Sequence, residues 1–318
     1  DAPFSTRIPN PNLKPERTSS YELGFKTAVS DNATFSVTGF YKEIKDLIQS
    51  RSVEAYPNGY ETFENVDFGT VKGFDFIFEL RRTKNIAITA NYTLGFANGT
   101  GSDPNTQSRM SWIQTENPKI VVPLDYDRRH VGSINISYQT NLNEGPVVGD
   151  FYPLENFGLS LLFTFNSGVP YTKSNITNPF FGGVTEVVPQ GSINGAYTPW
   201  NFRFDFRVDR SFKIGPVNMV ASLAVLNLLD SKNINSVPRL GIDAAGTVNG
   251  VYRGTGEPDN SGYLSTPAGQ ALLALAEYRP VVVNGQTLNF VDVFSGREND
   301  PGNFGIPRQI RLGLRLEY

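Results

Sequence analysis

Hydrophobic and polar residues alternate with period two along the last ten positions of the chain. Ile310, Leu312, Leu314, Leu316 and Tyr318 fall on one side, and Gln309, Arg311, Gly313, Arg315 and Glu317 on the other. Successive side chains of a strand point to opposite sides of its sheet, so the pattern predicts a strand with one apolar and one polar face. Segment 201–214 repeats it, with Phe202, Phe204, Phe206, Val208 and Phe212 against Arg203, Asp205, Arg207 and Asp209. Phe74, Phe76, Phe78 and Leu80 alternate with Gly73, Asp75, Glu79 and Arg81, interrupted only by Ile77. Ile86, Ile88, Ala90, Tyr92, Leu94 and Phe96 alternate with Thr89, Asn91, Thr93 and Gly95. Weaker segments of the same kind occupy 18–29, 33–49, 130–140, 158–167 and 217–228, which brings the expectation to nine strands.

A soluble sandwich also alternates, but its strands are usually shorter. A wall set in lipid must satisfy every backbone polar group between strands while showing apolar side chains to the membrane and polar ones to a wet lumen. Mixed charge on the polar face of 201–214 fits such a lumen. The expected fold is therefore all-β, a transmembrane antiparallel β-barrel. Composition agrees: the hydrophobic fraction is 39%, the aromatic fraction 12%, and 30 Gly and 21 Pro punctuate the chain. Mean hydropathy is −0.27, and no run of about 18 apolar residues occurs, which excludes a helical membrane protein. With no cysteine there is neither a disulfide framework nor a thiolate metal site, and one histidine leaves little for imidazole chemistry. A net charge of −3 offers no basic field for nucleic acid.

The connections alternate between short and long. Residues 30–32, 83–85 and 215–216 read as tight turns, whereas 50–68, 98–129, 168–200 and 229–306 read as long loops. Barrels of the outer-membrane kind pair brief periplasmic turns with extended outer loops. On that assignment the first strand descends from outside, the last ends in the periplasm, and 141–157 is expected to be a loose turn on the inner side. Bacterial single-chain barrels have an even strand number, so nine strands predict part of a larger barrel. The chain opens on Asp1-Ala2-Pro3 without a secretory signal, which predicts either a removed leader or a start further upstream.

Here the residues resemble a known family. NPNLKPERTSSYELGFK at 10–26, FSVTGFYKEIKDLIQ, FGTVKGFDFIFELRR, PLDYDRRH, SGVPYT, FRVDRSFKIG, LAVLNLLDSKN and FGIPRQIRLGLRLEY follow the order of phrases in the barrel of TonB-dependent outer-membrane receptors. The flavour is that of the large carboxypeptidase-regulatory-like or adhesin-like type. The resemblance implies a barrel of about 22 strands closed by an N-terminal plug, of which about 13 would lie upstream of these nine. It implies residues 1–17 as an extracellular loop tail and 18–318 as the C-terminal part of the barrel, with the plug not among these residues. It further implies the outer membrane of a Gram-negative bacterium and import of a scarce ligand, whether siderophore, glycan or peptide. The implied partners are outer-membrane lipid, the remainder of barrel and plug, and the TonB system. An adhesion or scaffold barrel without transport is the alternative.

Other constellations carry less. His130 follows Asp125, Asp127, Arg128 and Arg129, an arrangement that would suit a rim hydrolase only if other strands placed a nucleophile or second acid, so a polar strand cap is the expected role. The stretch 254–262 offers oxygen ligands without the spacing of a calcium loop and reads as a turn-rich loop. Thr266-Pro267 followed by Ala271, Leu272, Leu273, Leu275 and Ala276 reads as a capped short helix whose apolar face packs on neighbouring loops, with docking of a surface lipoprotein lid as the alternative. Trp112, Trp200, Tyr171, Phe180 and Phe181 suit either ligand stacking or interfacial anchoring. No catalytic residue, metal ligand or cofactor is expected, and no ligand-binding residue is assigned.

Overall fold

A computed structural model describes residues 7–56, 59–104, 120–149, 152–171, 174–176, 187–189, 192–234, 281–288 and 304–317, together with Gln270 and Ala274. Nine long strands build it: β1 (Arg17–Ser30), β2 (Ala33–Val53), β3 (Tyr60–Thr83), β4 (Ile86–Gly99), β5 (His130–Gln139), β6 (Phe157–Asn166), β7 (Asn201–Ile214), β8 (Val217–Leu226) and β9 (Gln309–Glu317). They form one sheet in chain order, each antiparallel to its neighbour, with a two-residue strand, Val122–Pro123, added beside β4. This is the meander that tight turns and long loops in alternation require.

Register sorts the side chains into two faces. One row runs Phe25, Val37, Phe76, Tyr92, Gly132, Phe165, Phe202 from β1 to β7. Another runs Ala33, Leu80, Ile88, Ile136, Leu161, Phe206, Val225, Ile310 from β2 to β9. The opposite face carries rows such as Lys26, Ser36, Ile77, Asn91, Ser133, Thr164, Arg203, so Ile77 is an apolar guest on a polar side. Much of the apolar face is uncovered: Leu23 and Leu312 on the two edge strands are 84% and 83% exposed, and Phe74 and Ile136 between them 51% and 36%. Among the described residues only Ala33, Ala97, Leu124, Tyr171 and Val225 form a buried apolar set. Water would penalise so large a continuous apolar surface, and hydrocarbon would not.

Two connections differ from the sequence reading. Residues 50–68 are largely strand: β2 and β3 shift register on either side of Leu47↔Asp67 and then pair without interruption from Ile48↔Asn65 to Val53↔Tyr60, as an arm beyond the apolar rows. Both faces of this arm carry polar side chains, so it lacks the one-sided apolar signal that marks the wall. The arm begins at a bulge, where Asp46 adopts φ 61°. Residues 7–16 lie along it as a strap. Asn65 accepts from the Lys14 N–H at 2.7 Å and donates to the carbonyls of Lys14 and Asp46 at 2.9 and 2.7 Å. Asn10 donates to the Phe63 carbonyl, and Arg17 pairs with Asp46 at 2.6 Å. Asn65→Ala removes both ends of this amide clamp, and unmade bonds of this kind cost about 1–3 kcal/mol. Trypsin cleavage after Arg7, governed by local opening, is expected to quicken about tenfold.

The second difference is 141–157, which is knit rather than loose where it is described. Thr140 and Phe157 exchange backbone and side-chain bonds, Asn156 N–H donates to the Asn141 carbonyl, and the Thr140 hydroxyl also donates to the Leu154 carbonyl. Four left-handed residues, Asn143, Gly145, Gly149 and Asn156, give it its turns. The tight turns stand as read: Lys84 and Asn85 both have positive φ, as a two-residue hairpin of the favoured twist requires, and Gly215 supplies φ 60° before Pro216.

Candidate functional site

The long connections leave the sheet at one edge, and there a polar cluster fastens them to the wall. Leu124 is fully buried and its N–H donates to the Ala97 carbonyl at 2.9 Å. The chain then turns tightly, with Asp127 N–H donating back to the Leu124 carbonyl at 2.7 Å. This places the Asp127 carboxylate, 2% exposed, under the end of β4. It accepts from Ala97 N–H at 2.8 Å and from the Tyr197 hydroxyl at 2.8 Å, with Arg129 Nε at 3.5 Å. Arg129 donates to the Tyr197 oxygen at 2.8 Å, and its guanidinium lies over the Tyr197 and Phe96 rings at 4.6 and 5.6 Å. Asn194 joins the same junction, donating to the Pro123 carbonyl and the Asp125 carboxylate at 2.8 and 2.9 Å. The connections after β4 and after β6 are thus stapled to one another at their bases.

Burial, reinforced by the hydrogen bond to Asp127, pushes the Tyr197 phenol up to about 12. A raised folded value means that the unfolded chain loses the proton first. The contribution is therefore complete below the ordinary tyrosine value of 10.0 and lost as pH climbs through about 12. Difference absorbance of phenolate between the native protein and Tyr197→Phe is expected to show one ionisation near 12 missing from the variant. A missing ionisation near 10 would contradict the buried pairing.

His130 does not join this cluster. It opens β5 on the apolar face in register with Leu94, its Nδ1 lies 2.7 Å from the Tyr92 hydroxyl, and its ring stacks on Trp200 with centroids 5.2 Å apart. Trp200 in turn stacks near Phe165 and Phe202, and the rings continue through Phe163 and Phe204. The structure thus separates the histidine from Asp125 and Asp127, and the expected polar cap is replaced by a place in an aromatic girdle. Parity alone carried the signal, since 130 is even like Ile134, Ile136 and Tyr138 on the apolar side. Tyr171 is buried in the short pair Pro170–Tyr171 with Ala196–Tyr197 and offers no open stacking platform. Trp112, Phe180, Phe181 and the stretch 254–262 lie outside the described residues, as does 266–276 apart from the helical Gln270 and Ala274.

A second junction escaped the sequence reading. Asn227, 2% exposed with φ 52°, donates through its amide to the carbonyls of Ser231 and Ile306, and its own N–H donates to Asp205 at 2.9 Å. Asp205 is also gripped by Arg203 through bonds of 2.8 and 2.6 Å on the lumen face. Asn233 holds the Phe202 backbone on both sides, and Asp230 accepts from Arg308 N–H. Together they close the base of the connection between β8 and β9. Among the described residues no three His, Cys, Asp or Glu side chains gather as a metal site. The chemistry present is that of positioning and pairing.

Residues 1–228 match the family described as TonB dependent receptor-like, beta-barrel. A hemin receptor of Yersinia pestis is 28% identical over 199 residues, which cover 58% of this chain and 27% of that protein. The outer membrane transporter YddB from Escherichia coli is similar in structure with a TM-score of 0.47 and 14% identity, over 70% of this chain and 30% of that one. The ferripyoverdine receptor of Pseudomonas aeruginosa gives 0.44 and 14%, over 71% and 25%. The chain spans less than a third of the length of these relatives.

Proposed function

The chain belongs to the TonB dependent receptor-like β-barrel family, and on that premise we propose that it forms wall and outer loops of an outer-membrane transporter for a scarce ligand. The observation that carries the reading is the two-faced meander, one side apolar and uncovered, the other lined by ion pairs such as Arg203–Asp205. A lipid-facing, water-lined wall is what passage across the membrane needs. The remaining strands and the plug come from residues outside this chain, the TonB system acts through that plug, and a surface lipoprotein is a further candidate partner at the loops. The edge bearing Gly215-Pro216 and the end of β9 is the periplasmic one, and the strap 7–16 with its arm stands outside. An iron-bearing cargo is supported by the hemin receptor of Yersinia pestis. Specificity would reside in the long loops.

The test is uptake by a strain lacking the receptor gene that carries this chain, supplied with hemin, ferric siderophores, glycans and peptides in turn. The transporter reading expects loss of accumulation of one class, restored by the gene and abolished again without TonB while surface binding persists. Unchanged accumulation of every class, with altered cell adhesion, would replace it with the adhesion or scaffold barrel.

A further inference from the structure

On the apolar face, the last aromatic row before the long-loop edge reads Tyr21, Tyr41, Lys72, Phe96 from β1 to β4. The row below reads Leu23, Gly39, Phe74, Leu94. Gly39 has no side chain where its neighbours have large ones, and a notch of about 510 Å³ opens there, walled by Leu23, Phe74 and Leu94 and roofed by Tyr21, Tyr41 and Lys72. A Cβ added at Gly39 would meet the Phe74 ring at 3.3 Å, so the space depends on the glycine.

Lys72 is the feature that an ordinary interfacial girdle does not explain. It is exposed and it forms no ion pair among the described residues. Glu43, one row further out on β2, is paired with Lys45 at 3.1 Å. Glu22 reaches the notch from the polar face of β1, where its carboxylate accepts from the Ser20 hydroxyl at 3.1 Å. Arg129, the other cation beside Phe96, is committed to Tyr197 and Asp127. Lys72 thus offers an unspent positive charge at the level where headgroups meet hydrocarbon, directly above an apolar cleft. A long lysine stem bridges those two environments well.

We propose that this notch is a binding site for a phosphorylated membrane lipid, with a phosphate on Lys72, the headgroup against Tyr21 and Tyr41, and one acyl chain lying over Gly39. Charge complementarity selects an anionic headgroup, and the apolar floor selects a lipid over a free phosphate. The site rests on the reading of this face as lipid-facing. It gives the barrel a bound lipid at the membrane interface below the arm formed by β2 and β3.

The experiment is native mass spectrometry of the intact receptor in detergent, titrated with purified lipid A, with inorganic phosphate as competitor. Lys72→Gln is expected to weaken lipid binding about fivefold, since one lysine near an anionic lipid surface contributes about that factor. Lys72→Arg should bind as the native protein does, Lys26→Gln on the polar face should change nothing, and excess phosphate should displace no lipid. Equal binding by Lys72→Gln, equal loss in Lys26→Gln, or displacement by phosphate would overturn the proposal. A nitroxide at position 23 separates the two failures. Low oxygen accessibility there means the lipid-facing reading has failed, whereas high accessibility with unchanged lipid binding in Lys72→Gln removes the site alone.

Discussion

Ile136→Arg is expected to destabilise the assembled barrel by about 2–4 kcal/mol, while Asn135→Arg, one residue away, costs less than about 1 kcal/mol. Ile136 lies mid-strand on the apolar face between Ile88 and Leu161, where an arginine must hold its charge in hydrocarbon or deform the bilayer to escape. Asn135 lies on the polar face between Thr89 and Leu162, one strand beyond each of which stand Glu79 and Asp205. A guanidinium there enters water near carboxylates. Urea unfolding in lipid bilayers, with the folded fraction in outer membranes as a second readout, measures both variants. Similar losses in the two would mean that the faces do not meet different solvents.

The second large effect is expected at the loop junction. Asp127→Ala leaves the Ala97 N–H and the Tyr197 hydroxyl without their acceptor and strips Arg129 of its carboxylate, at a point where Asp127 and Ala97 are buried and Arg129 is partly exposed. Each orphaned group costs about 1–3 kcal/mol, so a total of about 2–4 kcal/mol is expected once relaxation is allowed. Asp127→Asn keeps an oxygen acceptor and should lose roughly half as much. Because the lesion frees two loop bases rather than the wall, its signature is selective: trypsin should cut after Arg128 and Arg129 many times faster while the strands stay protected. Unaltered cleavage in Asp127→Ala would show that other contacts hold the loops.

The wall was legible because a β-barrel in lipid writes its solvent boundary into every second residue. All nine strands stand where alternation placed them, and rows as close to the tight turns as Phe212–Met219–Leu316 follow from counting alone. What alternation could not show is structure with no one-sided apolar face. The arm from Leu47↔Asp67 to Val53↔Tyr60 has polar residues facing both ways, so its strands looked like loop. Side-chain-to-backbone bonding was equally invisible, since it depends on which turns meet in space. Asn65, Asn194 and Asn227 each clamp a distant segment, and nothing adjacent in sequence marks them from other asparagines. His130 is the instructive case, because its acidic neighbours drew the eye while its parity with Ile134 and Ile136 decided its face.

The claim beneath all of this is that one face of the sheet meets lipid and the other meets water. These 318 residues contain no cysteine, so single cysteines can be placed along β7 from 202 to 209 and spin-labelled in the reconstituted receptor once any cysteine outside this chain is replaced by serine. The account predicts oxygen accessibility peaking at positions 202, 204, 206 and 208 and water-soluble nickel-chelate accessibility peaking at 203, 205, 207 and 209, as their faces require. Nickel accessibility that is high at every position, with no period of two, would contradict it.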